Sequence, residues 1–75
     1  MIYHAKLKLA GIVCGGCFNR INQTINQADL LRAIINHADQ TVVITYDRER
    51  DYYQQVILKI QQIGYNAKLI SVNED

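Results

Sequence analysis

Tyr3-His4-Ala5-Lys6-Leu7-Lys8-Leu9-Ala10-Gly11-Ile12-Val13-Cys14-Gly15-Gly16-Cys17 decides the fold. Its first half alternates: Tyr3, Ala5, Leu7 and Leu9 are apolar while His4, Lys6 and Lys8 are polar, the period-two pattern of a strand with one buried face. Gly11 breaks the pattern. From about Cys17 onward Phe18, Ile21, Ile25 and Ala28 recur at helical spacing, with polar residues filling the opposite face. A strand thus hands over to a helix through a short loop that carries the chain's only two cysteines.

Beyond this stretch, Leu30 to Asn36 is apolar and partly branched, His37-Ala38-Asp39-Gln40 reads as a turn, and Thr41-Val42-Val43-Ile44-Thr45-Tyr46 is rich in strand formers. Together they predict a hairpin. Asp47 to Asp51 is a charged, solvated connection, after which Tyr53, Val56, Ile57, Ile60 and Ile63 share one helical face that stops at Gly64. Ala67 to Val72 supplies a last short strand before the polar tail Asn73-Glu74-Asp75. The order is βαββαβ. With right-handed crossovers it makes an α+β, ferredoxin-like open-faced sandwich, a four-stranded antiparallel sheet with both helices on one face. Following the chain up and down puts the Cys loop, His37 and Tyr65 at one end, with His4 and the Arg48 to Asp51 cluster toward the other.

The 75 residues allow one domain, spanning 1–75, and 49% hydrophobic with 20% charged residues and no proline suits a small packed core. Eight Lys and Arg against seven Asp and Glu leave a net charge of +1, without a basic run to follow a phosphate backbone, so no nucleic-acid partner is expected. The alternating N-terminus lacks the continuous apolar stretch of a secretory signal, and no segment is long enough to insert in a membrane. The expected address is cytoplasmic. In that compartment a lone Cys pair stays largely reduced and reads as metal-binding or catalytic.

Cu(I) is soft and accepts two thiolates in near-linear geometry; Gly15 and Gly16 give the pair the freedom to turn both sulfurs toward one ion. The helix N-terminus that follows favours thiolates through its unpaired N–H groups and dipole. Arg20, one turn beyond Cys17, is placed to add to this effect, although it reads first as a solvated helix residue. Structural Zn(II) prefers four ligands, and His37 is the one plausible third donor at that end, although it reads more simply as a polar hairpin residue. No carboxylate flanks the loop and Asp29 is remote, which sets Cu(I) ahead of zinc, cadmium or mercury. The remaining chemistry for such a pair is dithiol redox exchange.

Gly11-Ile12-Val13-Cys14-Gly15-Gly16-Cys17 in βαββαβ order resembles the heavy-metal-associated domain of copper chaperones and P-type copper ATPases, over essentially the whole chain. That family's loop usually reads Gly-Met-Thr-Cys-x-x-Cys, so Gly11, Cys14 and Cys17 match while Ile12 and Val13 replace Met and Thr. Ile12 preserves an apolar plug, but Val13 has no hydroxyl to offer beside the sulfurs. Gly64-Tyr65 is similar to the small bacterial copper chaperones, which carry Tyr before the last strand where ATPase domains more often carry Phe. The resemblance implies Cys14 and Cys17 as ligands of Cu(I), Tyr65 packed beside them, and no catalysis. As partners it implies the metal-binding domain of a copper-transporting P-type ATPase, a copper-responsive repressor, or a second copy in a metal-bridged homodimer. An isolated regulatory domain of a heavy-metal ATPase is the alternative role.

Overall fold

Strand β1 (Tyr3–Ala10) leads into helix α1 (Gly15–Asn26), followed by the hairpin β2 (Arg32–Asn36) and β3 (Thr41–Tyr46). A 3₁₀ turn, Arg50–Tyr52, runs into α2 (Tyr53–Gln62), and β4 (Asn66–Glu74) ends the order. The computed structural model describes residues 1–11 and 15–74; Ile12, Val13, Cys14 and Asp75 lie outside the described residues. The sheet runs β2-β3-β1-β4 with every neighbouring pair antiparallel, the ferredoxin-like arrangement expected.

Alternation decides which face is covered. Ala5 and Leu7 of β1 are fully buried and lie opposite Ile44 and Val42 of β3, and Tyr3 lies opposite the buried Tyr46. Ile21 and Ile25 of α1 and Val56 and Ile60 of α2 close over them, so both helices cover that same face. Burying each such aliphatic side chain stabilises the fold by about 1.5–3 kcal/mol. His4, Lys6 and Lys8 consequently point away from the helices.

Several boundaries differ from the sequence expectation; among them α1 stops at Asn26, short of Ala28, and β2 begins at Arg32, after Leu30. Helix α1 starts at Gly15, so Gly15 and Gly16 form its first turn instead of a flexible hinge before it. First-turn N–H groups need no intrahelical partner, and glycine's poor helix propensity matters least there. β4 extends past Val72, with Asn73 opposite His4 and Glu74 opposite Tyr3, because β1 offers a ladder along its full length to those backbone groups. A bulge accommodates the extra length: Lys6 faces Ser71 and Leu7 faces Leu69, leaving Ile70 between them. The charged connection is exposed from Asp47 to Asp51, as expected, and its backbone also accepts hydrogen bonds, the Tyr46 hydroxyl donating to the Arg50 carbonyl and the Tyr52 N–H to the Glu49 carbonyl at 3.0 Å.

Candidate metal site at the start of the first helix

Cys17 stands in the first turn of α1, on the same helical face as Ile21 and Ile25, and is only 6% exposed. The stripe that buries the helix therefore carries this sulfur into the end of the core. No acidic residue occupies that first turn, so the helix N-terminus keeps its positive character for a thiolate. The expectations for Ile12, Val13 and Cys14 fall outside the described residues.

Tyr65 reaches Cys17 from a distant part of the sequence because of how α2 ends. Gly64 takes a left-handed φ of +95°, its N–H donates to the Gln61 carbonyl at 3.0 Å, and the Tyr65 N–H donates to the Ile60 carbonyl at 3.3 Å. This pair of bonds is the Schellman termination, which turns the chain sharply and sets Tyr65 against the core. There the phenol hydrogen-bonds Cys17, which, with partial burial, holds the tyrosine above its usual range; the neighbouring Arg20 guanidinium acts in the opposite sense. Gly11 completes the corner. Its φ of +84° favours glycine, and a Cβ there would lie an ordinary 4.0 Å from Tyr65 Cδ1, so conformation and not space calls for glycine.

Arg20 thus belongs to the Tyr65 neighbourhood as well as to solvent, contrary to the plain reading of it as a solvated helix residue. Its three-residue separation from Cys17, one helical turn, was the available signal. His37 is also at this end, where its ring stacks on Phe18, centroids 4.2 Å apart and planes at 22°. The turn that carries it is shaped by Asn36, whose side-chain oxygen accepts the Ala38 and Asp39 N–H groups at 3.0 and 3.2 Å. Among the described residues, no three His, Cys, Asp or Glu side chains gather as a metal cluster. His4 lies toward the opposite end, its Nδ1 3.0 Å from Thr45 Oγ1.

No protein-family model matches the chain. A copper-exporting P-type ATPase of Staphylococcus saprophyticus is 34% identical over 65 residues, covering 85% of this chain and 8% of the ATPase. The chain therefore spans less than a tenth of the length of that relative. The N-terminal domain of a potential copper-translocating P-type ATPase from Bacillus subtilis, solved in its Cu(I)-loaded state, superposes with a TM-score of 0.84 at 25% identity, covering 100% of this chain and 95% of that domain. The N-terminal domain of ZntA in its Zn(II) form superposes at 0.75 with 22% identity, covering 96% of this chain and 97% of that one, a likeness of fold. Among the described residues no helix is long and apolar enough to cross a membrane.

Proposed function

For a chain built as a heavy-metal-associated domain, we propose the role of a Cu(I) carrier that binds the ion through Cys14 and Cys17 and hands it to a partner with a similar thiol pair. The observation that supports it best is Cys17, buried at a helix N-terminus with a phenol hydrogen bond from Tyr65. A helix end and a hydrogen-bond donor both favour the thiolate, the form that binds a soft metal. The absence of carboxylates from the first turn of α1 favours a low-coordinate Cu(I) over a divalent ion.

Transfer follows as ligand exchange without change of oxidation state. An incoming partner thiolate forms a third Cu–S bond, one resident Cu–S bond breaks, and a second exchange completes delivery. Cys14 is the first sulfur exchanged, since Cys17 is enclosed by the core and Tyr65. Residues 1–75 act as a single carrier domain, non-catalytic and cytoplasmic. The recipient is the metal-binding domain of a copper-transporting P-type ATPase or a copper-responsive repressor, and a metal-bridged homodimer is a further loaded state.

Anaerobic titration of the reduced protein with Cu(I) against a chromophoric competitor, with Zn(II) in parallel, tests this reading. Tight Cu(I) binding unmatched by zinc and lost in Cys14→Ser supports it; weak binding of both metals sinks it. The identity with a copper-exporting ATPase favours a second reading, in which the same site is a regulatory domain of such a transporter. A reading frame that continues into membrane-spanning segments would select it. Reduction of insulin disulfides by the protein would instead support a dithiol oxidoreductase.

A further inference from the structure

The face of the sheet opposite the helices carries a charge pattern that the linear sequence conceals. Strand register brings Arg32, Thr45, His4 and Asn73 into one row, Ile34, Val43, Lys6 and Ser71 into the next, and Asn36, Thr41, Lys8 and Lys68 into a third. Arg32, Lys6, Lys8 and Lys68 are all exposed there, and no carboxylate belongs to these rows. The chain's net charge is +1, so a face of +4 leaves a net −3 on the remainder. Asp39 sits at the rim, its carboxylate held by the Asn36 amide at 3.2 Å and its carbonyl accepting from Lys8 Nζ at 2.5 Å.

Lys8 and Lys68 lie directly opposite each other on neighbouring strands, an arrangement that destabilises a sheet. They line an open cavity of about 420 Å³ together with the amides of Asn66 and Gln61. Apart from the Lys8 bond to the Asp39 carbonyl, no hydrogen bond or ion pair among the described residues uses these charges, and none of those residues packs over the face. At strand spacings, the four cations spread over about 20 Å of the sheet face. Exposed Ile34 and partly exposed Val43 form an apolar strip beside them. Cations dispersed over one broad face, with aliphatic side chains between them, match an extended array of many anions better than one anionic group or a narrow acidic segment.

We propose that this outer sheet face docks the domain peripherally on an anionic lipid surface. Cys17, Tyr65 and Gly11 lie where β1 ends and β4 begins, so docking through the face leaves the thiol end at the side of the contact, open to a partner. No segment inserts: the attraction is between Lys and Arg side chains and phosphate headgroups, and it weakens with salt.

Co-sedimentation of the metal-free protein with phosphatidylglycerol vesicles, and with phosphatidylcholine vesicles as control, tests this independently of the Cu(I) reading. Binding to the anionic vesicles alone is expected, lost at high salt. Lys6→Gln, Lys8→Gln and Lys68→Gln should each weaken it about five-fold, and Lys59→Gln, a half-buried position on α2 away from this face, should leave it unchanged. Circular dichroism of each variant confirms that the fold persists. No binding to phosphatidylglycerol, or equal weakening by Lys59→Gln, overturns the proposal. So does capture by poly-glutamate without vesicle binding, which would assign the face to an acidic protein.

Discussion

The two ends of the molecule are held by different chemistry. At the thiol end, Cys17, Tyr65, Gly11, Phe18 and His37 meet through a sulfur hydrogen bond, a backbone termination and a ring stack. At the opposite end Arg48 pairs with Asp29 and lies 5.6 Å from the centre of the Tyr52 ring, Tyr52 accepts the Asp29 N–H at 3.0 Å, and Tyr46 donates to Arg50. The first helical turn that carries Cys17 holds no acid; the other end gathers Asp29, Asp47, Arg48 and Glu49 around an open pocket. The difference teaches that a soft-metal corner needs polarizable neighbours and no acid beside the sulfur, whereas the distal end has only to anchor connections.

Cys17→Ser should break that contrast most completely. Tight Cu(I) binding is expected to disappear while the fold survives with a cost under about 2 kcal/mol, read by competitor titration and urea unfolding. A variant that unfolded outright would make the thiol structural. Gly64→Ala comes next, because a side chain at φ +95° costs about 1–2 kcal/mol and shifts Tyr65 away from the sulfur. Both stability and the rate of Cys17 alkylation should change in that variant, whereas a distal change should move stability alone.

Tyr46→Phe is that distal change, expected to cost about 1 kcal/mol in urea unfolding without altering metal binding. Burial, the largest influence, holds the Tyr46 phenol above its usual range, and the hydrogen bond with Cys17 does so for Tyr65. The folded protein therefore keeps these protons longer than the unfolded chain does. Their stabilising contribution is complete below the ordinary tyrosine value and is lost as pH rises through the elevated one. Stability measured above about pH 10 should fall with pH, less steeply in Tyr46→Phe. Smallest is Arg48→Ala: its ion pair is 52% and 64% exposed, so the loss should stay under about 1 kcal/mol and shrink in high salt.

Much of the fold was legible because its causes are local or periodic. The alternation of Tyr3 to Leu9 and the helical spacing of Val56 and Ile60 are recorded in the sequence itself, and the observed burial follows them. Asn73 and Glu74 misled because polarity says nothing of a backbone ladder waiting on β1. The glycines after Cys14 were read for flexibility, although a helix tolerates them in its first turn. Of the candidate site, the placement of Tyr65 and His37 at the end bearing Cys17 was legible from topology, while their partners were not. The contact of Tyr65 with Cys17 and Arg20, and that of His37 with Phe18, join residues on different elements whose approach depends on packing angles.

The sequence by itself determined the element order, the buried faces, the left-handed stop at Gly64 and the presence of a close thiol pair, since each rests on residue type and short-range spacing. Only the tertiary structure decided that Tyr65 serves the sulfur of Cys17, that Arg20 joins them, and that Lys6, Lys8, Arg32 and Lys68 form one face. The physical reason is that a hydrogen bond or a charge field depends on distance through space. Register and packing set that distance, by laying residues from opposite ends of the chain side by side.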